Sequence, residues 1–247
     1  MLKRRSTIRL LFNRSGDTNF LFMQYRLCVI IPAYQVEQYI AELLNRTMAI
    51  APELTIIIID DGSTDHTSQI LTQFPQIITI HHPEKQGKDK AIRTGMQAAL
   101  QRGFTHAILM DADLQHVPEC IPDFREAIET SDVDLVLGRR TFKFGVMPFH
   151  RILSNTITSL IISLRTNRRV HDSQCGYRLI NLRKIEVLKV QACGFQYESE
   201  VLIKALLQGY DYCEIPVPTV YNDSPSSIDN FWDTFRFVAL IIRSYKW

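Results

Sequence analysis

The sequence predicts an α/β protein: a single domain on a doubly wound, mostly parallel sheet. Three observations carry that expectation. From Leu27 onward, short apolar runs alternate with amphipathic stretches of helical length. The runs are rich in β-branched residues and nearly free of polar ones, as strands covered on both faces are. Polar residues gather directly after the runs, at the carboxyl ends of the expected strands, where open α/β sheets hold their ligands.

The expected strands of the first half are Leu27–Ile31, Leu54–Ile59, Ile77–Ile80, His106–Met110 and Leu135–Leu137. Helical patterns lie between them near 36–49, 65–73, 88–102 and 119–130. The second half opens on a helix from Phe149 to Leu164, with Leu153, Ile157, Leu160, Ile161 and Leu164 on one side. A short strand around Tyr177–Ile180 follows, then helices near 182–189 and 198–208. Tyr212–Ile215 reads as a strand stopped by Pro216 and Pro218, since proline cannot donate to a ladder. Ser226 with Asp229 resembles a capping box opening a last helix, Ile228 to about Tyr245. The chain thus divides into an extension (1–26), a domain (27–227) and a C-terminal amphipathic helix (228–247).

Composition supports a folded domain, with 46% apolar and 22% charged residues. Residues 1–26 carry six basic groups and one acid, so the remainder is close to neutral and slightly acidic. A body without a basic face argues against a nucleic-acid binder. The basic extension has two open readings, a disordered arm or residues ahead of a start at Met23. Five cysteines with no CxxC pair read as free thiols in a reducing compartment. No stretch reaches the roughly 20 apolar residues of a spanning helix. A cytoplasmic protein is expected, with contact at the inner face of a membrane kept open.

Two clusters carry chemistry. Ile59-Asp60-Asp61-Gly62-Ser63-Thr64-Asp65 runs a buried strand into two carboxylates and a turn. The carboxylates suit a nucleobase N–H or a ribose hydroxyl, and Ser63 or Thr64 suits a helix cap. Met110-Asp111-Ala112-Asp113-Leu114-Gln115-His116 ends a second apolar run in carboxylates two apart. Oxygen ligands so spaced suit Mg²⁺ or Mn²⁺, with coordination positions left for a diphosphate. Other nucleotide folds are disfavoured. Pro32-Ala33-Tyr34 stands where a dinucleotide fold needs glycines, and no P-loop or nucleophile elbow occurs. Basic groups of Gly87-Lys88-Asp89-Lys90-Ala91 could face phosphate or sugar, or simply solvent.

Taken together, Val29-Ile-Ile-Pro-Ala-Tyr, Ile59-Asp-Asp-Gly-Ser-Thr-Asp and Met110-Asp-Ala-Asp-Leu-Gln-His resemble family 2 glycosyltransferases of the GT-A fold. The likeness runs over about residues 27–220. It is strongest to the branch of dolichyl-phosphate mannosyltransferases and polyprenyl-phosphate sugar transferases. Gly138-Arg139-Arg140 is similar to that family's G-S-R, and Asp172–Arg178 to its D-x-x-S-G-F-R. The resemblance implies that Pro32, Tyr34, Glu37, Ile59 and Asp61 line a nucleoside pocket. It implies that Asp111, Ala112 and Asp113 meet diphosphate and metal, that Gln115 completes the metal shell, and that Arg140 contacts diphosphate or acceptor. Lys90 and Arg178 join these as substrate-binding candidates. The implied reaction is inverting and metal-dependent, from a nucleoside-diphosphate sugar to a lipid phosphate.

Two positions depart from the family. Asp89 replaces a glycine, and the loop before the last helix has Tyr221 and Ser227 where an Arg and a Lys are common. A sugar hydroxyl on a glycan is therefore the alternative acceptor, and a non-catalytic nucleotide-sugar binder the non-enzymatic rival. A hydroxyl would need a general base, for which Glu198 or Glu200, and Glu200 in particular, is the candidate. The last helix places Ile228, Phe231, Trp232, Phe235, Val238 and Ile242 on one side, flanked by Arg236, Arg243 and Lys246. It and the Phe149–Leu164 helix either pack on the sheet or a partner, or lie in a headgroup region.

Overall fold

The computed structural model describes residues 25–141, 149–194, 196–220 and 230–247. Most of the basic extension, the Ser226–Asp229 capping box and the loop with Tyr221 and Ser227 lie outside the described residues.

Among the described residues seven strands form one sheet: β1 (Leu27–Ala33), β2 (Thr55–Asp60), β3 (Ile78–His81), β4 (His106–Leu109), β5 (Leu135–Arg140), β6 (Arg178–Asn181) and β7 (Tyr212–Val217). The order is β3-β2-β1-β4-β6-β5-β7. Only β6 runs against its neighbours, pairing antiparallel with β4 and β5. Reversal of this one strand matters for the site. The start of β6, not its end, lies beside the carboxyl ends of β4 and β5, with Arg178 in register with Leu109 and Leu137.

The helices are α1 (Ile40–Ile50), α2 (Thr67–Leu71), α3 (Lys88–Gln101), α4 (Ile121–Ser131), α5 (Phe149–Thr166), α6 (Leu182–Glu186), α7 (Gln196–Leu207) and α8 (Asn230–Ser244). Strand residues alternate between two cores, as the two-residue period requires. Ile30, Ile57 and Ile59 pack under α3 and α7, while Val29, Ile31, Ile56 and Ile58 pack under α1 and α4. Helices on both faces make the sheet doubly wound, as the unbroken Ile56–Ile59 run implies. Gly95 lets α3 sit close, because a methyl there would come within 2.5 Å of Ile30 Cγ2.

One strand limit needs correction. β7 does not stop before Pro216 but continues through it, opposite Arg139 of β5. An edge strand tolerates proline because its outer N–H has no partner to lose. The helix cap expected of Ser63 or Thr64 is also absent. Helix α2 begins only at Thr67, and the two hydroxyls accept instead from the Gln35 backbone N–H and side-chain amide, both at 3.1 Å. All five cysteines are free.

Candidate active site

Of the residues expected to bind a nucleoside, Tyr34 and Glu37 lie past the end of β1 and Asp61 past the end of β2, while Pro32 and Ile59 lie within those strands. Tyr34 carries the Lys85 ammonium 4.0 Å above its ring, and Gln35 Nε2 donates to its hydroxyl at 3.1 Å. Pro32 pairs with Ile59 in the ladder. Glu37 accepts from the His66 N–H and ring at 2.8 Å each, which holds its carboxyl below the ordinary range. Asp61 is buried. It accepts from His82 Nδ1 at 2.7 Å and from the backbone N–H groups of Gln86 and Gly87 at 2.9 and 2.7 Å. Burial opposes ionisation there, but those donors outweigh it and lower its pKa. Asp61 therefore fixes the segment that leads into α3. Ile59 is corrected: its side chain is fully buried in the core, against Gly95, and lines no pocket.

The centre of the site is the loop after β4. The Lys88 ammonium, from the first turn of α3, stands 2.7 Å from Asp111 Oδ1 and 3.0 Å from Glu198 Oε1. Burial would raise the Asp111 pKa, but Lys88 and then His116 outweigh it and hold it down at about 2. Asp113 is shifted the other way, upward, by burial first and the Asp111 charge second. Asp111, already paired with Lys88, and the neighbouring Asp113 bring carboxylate oxygens together in one loop, and oxygen donors of this kind suit a divalent cation. The chemistry of the donor set sets a limit. No group of three or more His, Cys, Asp or Glu side chains among the described residues could hold a metal ion. A cation here needs ligand oxygens from elsewhere, such as Gln115 and a bound phosphate. The Ala112 methyl is buried in the core, so only its backbone can face a ligand.

His116 was not singled out from the sequence. Its Nδ1 accepts the Asp111 N–H at 2.9 Å, which leaves the proton on Nε2. Burial lowers its pKa, and the ring stacks on Tyr177 at 4.8 Å. Gln115, His116, Arg140 and Thr219 line one small cavity between this loop and the end of β7.

Arg140 ends β5 and makes a two-pronged pair with buried Asp172, at 2.8 and 2.9 Å. That carboxylate fixes the direction of the guanidinium, whose charge is felt at Asp111. Three other expectations are corrected. Arg178 is buried, and its guanidinium donates to the carbonyls of Cys175, Ser173 and Glu198 at 2.8, 2.7 and 3.0 Å. It shapes the site from behind and does not meet substrate. Glu200 is fully buried. It accepts from the backbone of Gln191 and Ala192 and pairs with Lys204 and Arg243, which keep its pKa low despite burial. A carboxylate held anionic by four donors is a poor proton acceptor. Lys90 is exposed, and it is Lys88 that reaches Asp111.

Residues 28–188 match the family described as Glycosyl transferase family 2. The chain belongs to that family. Among curated members it is 31% identical over 216 residues to the UDP-N-acetylglucosamine–dolichyl-phosphate N-acetylglucosaminyltransferase of Methanococcus voltae, covering 79% of this chain and 86% of that one. It is 26% identical to the polyprenol monophosphomannose synthase of Mycolicibacterium smegmatis, covering 78% and 76%. Among solved structures, the glucosyl-3-phosphoglycerate synthase of Mycobacterium tuberculosis, seen with Mn²⁺, UDP and phosphoglyceric acid, superposes with a TM-score of 0.67 at 16% identity, over 91% of this chain and 80% of that one. The fold of this family 2 domain is thus the GT-A fold.

Proposed function

We propose that this chain is an inverting, metal-dependent glycosyltransferase that moves a sugar from a nucleoside diphosphate to a polyprenyl phosphate at a membrane surface. The carrying observation is the Asp111/Asp113 pair at the end of β4, within a family 2 domain. The Methanococcus and Mycolicibacterium relatives, named for dolichyl and polyprenol phosphate, support the acceptor.

The donor would lie across the carboxyl ends of the strands, its nucleoside by Tyr34 and Asp61 and its diphosphate by Asp113 and Gln115. Mg²⁺ or Mn²⁺ held there would offset charge growing on the departing diphosphate. An acceptor phosphate oxygen attacks the anomeric carbon from the far side as the bond to the diphosphate breaks. That oxygen is already anionic near pH 7, so no base is required. Arg140, aimed by Asp172, is the cation assigned to the diphosphate or the acceptor phosphate.

Two helices supply a membrane face. In α5, Leu153, Ile157, Leu160 and Leu164 are exposed, while Ile162 points into the core. In α8, Phe235, Val238 and Ile242 are exposed, as is Tyr245 just past its end, while Phe237 and Leu240 are buried. Of the stripes legible in the sequence, Leu153, Ile157, Leu160, Leu164, Phe235, Val238 and Ile242 face outward, Ile161 packs partly on the core, and Ile228 and the side chains of Phe231 and Trp232 lie outside the described residues. The helices meet where Arg165 Nε donates to Ser244 Oγ at 2.8 Å and its guanidinium lies over Tyr245. Exposed Arg236 and Lys246 stand near the apolar residues of α8, which suits anionic headgroups. No helix among the described residues is long and apolar enough to cross a membrane.

The test is a transfer assay with UDP- and GDP-sugars, Mn²⁺ and a polyprenyl phosphate in liposomes. The expected product is the sugar-phosphate lipid. Transfer to free glycans with none to the lipid would overturn the acceptor assignment.

A further inference from the structure

The segment 82–88, between β3 and α3, carries two lysines to two places. Lys85 lies over the Tyr34 ring past β1, and Lys88 pairs with Asp111 past β4. A lysine side chain is long and rotamer-rich, so its ammonium stays in one place only if its backbone is held. The holding contacts are specific. Gly62 packs directly against the segment, where an added Cβ would stand 2.5 Å from the Glu84 carbonyl carbon and 2.6 Å from the Lys85 nitrogen. Gln86 and Gly87 both donate their N–H groups to Asp61. Gly87 takes a φ of 107°, open to glycine, and α3 starts at Lys88 directly after it.

The Asp61 carboxylate is therefore the point from which Lys88 is aimed, and one imidazole orients that carboxylate. The His82 N–H donates to the Asp60 carbonyl at 2.9 Å, continuing the pairing of β3 with β2. The His82 side chain is only 8% exposed, and both ring nitrogens are engaged. Nδ1 stands 2.7 Å from Asp61 Oδ1, and Nε2 stands 3.0 Å from Thr94 Oγ1 in the second turn of α3. An ionised carboxylate only accepts, so Nδ1 carries the proton. His81 points elsewhere, with a side chain 49% exposed and paired to Asp60.

Three donors thus fix the plane of Asp61, with His82 and Gln86 on Oδ1 and Gly87 on Oδ2. Burial raises the Asp61 pKa, and among the groups that outweigh it the His82 hydrogen bond comes first, ahead of the two backbone donors. Resting on the donor reading above, we propose that His82 is a positioning residue of this site: it orients Asp61, which places the 86–87 backbone and so aims Lys88 at Asp111. With both nitrogens occupied by protein groups, the imidazole acts through these residues and not on the ligand.

Three variants separate its two hydrogen bonds. His82→Asn sets an amide N–H where Nδ1 stands and keeps the bond to Asp61. His82→Gln reaches where Nε2 stands and keeps only the contact with Thr94. His82→Phe keeps a ring and loses both. The first measurement needs no ligand and follows amide hydrogen exchange at Gln86 and Gly87 in the full chain. Exchange should be about tenfold faster or more in His82→Gln and His82→Phe, and within about threefold of wild type in His82→Asn. The second is kcat/KM for transfer, which His82→Gln should lower about tenfold in the wild-type background and less than about twofold in a Lys88→Met background. Rescue by Gln and not by Asn would overturn the proposal and make the ring a brace for α3. An undiminished loss in the Lys88→Met background would overturn the route through Lys88. Should His82→Phe not fold, the contrast between Asn and Gln still decides. A wild type without transfer activity refutes the donor reading, and the exchange rates alone then decide whether His82 holds the segment.

Discussion

In the loop after β4, residues two apart act together; in the first turns of α3 and α7, residues two apart act on opposite sides. Asp111 and Asp113 influence each other's ionisation directly. Lys88 reaches Asp111 and Glu198, while Lys90 faces solvent. Glu198 faces the site, while Glu200 is buried among Lys204, Arg243 and two backbone N–H groups. Helical geometry turns about 100° per residue, so positions two apart point about 200° apart. The same spacing makes a pair after a strand and a division of labour on a helix.

The comparison breaks most visibly at Asp113. Asp113→Asn should lower metal-dependent turnover by about a thousandfold, read from initial rates in Mn²⁺. The fold should not suffer. Asp113 has a raised folded-state pKa, so the folded state holds its proton more tightly than the unfolded chain. That stabilisation exists at low pH and is lost as pH rises through the folded value. Removing the carboxylate should therefore leave the melting temperature at pH 7 equal or higher, with the advantage vanishing in acid. A clear drop at pH 7 would show that the two aspartates do not repel.

Glu200 should behave in the reverse manner. Glu200→Ala should cost about 3 kcal/mol of stability, measured by urea unfolding, because it strands buried donors. The folded fraction should keep its activity. The Glu200 pKa is lowered by its partners, so its contribution is present above the ordinary carboxylate range and is lost as pH falls through the folded value. The deficit of the variant should shrink accordingly in acid. An active-site collapse without loss of stability would return Glu200 to catalysis.

Glu198 and Glu200 also show where the sequence was legible and where it was not. The strand-end carboxylates Asp61, Asp111 and Asp113 could be placed because buried β runs announce where they end. The helix-borne candidates could not, because helical phase depends on where the first turn starts. A helix starting at Gln196 turns Glu198 outward and Glu200 inward. Arg178 misled for a related reason: a strand of reversed direction brings its start to the site, and an arginine there is buried by three carbonyls. His116 carried the signal of sitting five residues after Asp111 in a turn, near enough to accept its N–H.

A smaller effect is expected for the lysines. Lys88→Met should reduce kcat/KM about tenfold, since it leaves Asp111 and Glu198 without their shared cation. Lys90→Met should change it less than about twofold. Comparable losses would mean that the first turn of α3 moves when a donor binds. Smallest in stability, and most telling for location, is Leu164→Glu combined with Ile242→Glu. Both side chains are well exposed, so stability should move less than about 0.5 kcal/mol. Flotation with anionic liposomes should nevertheless be lost. Retained flotation would put the membrane contact elsewhere.

The proline inside β7 has a consequence for crowded conditions. An outermost strand offers a row of backbone donors and acceptors on which a strand from another molecule could grow. Pro216 interrupts that row, because it is exposed and has no N–H to offer. Pro218 follows just past the strand end, so the row is broken again at once. The sheet thus carries its own barrier to lateral accretion on this side. Concentrated at a surface, many copies can stand close together without being templated into a continuous ribbon.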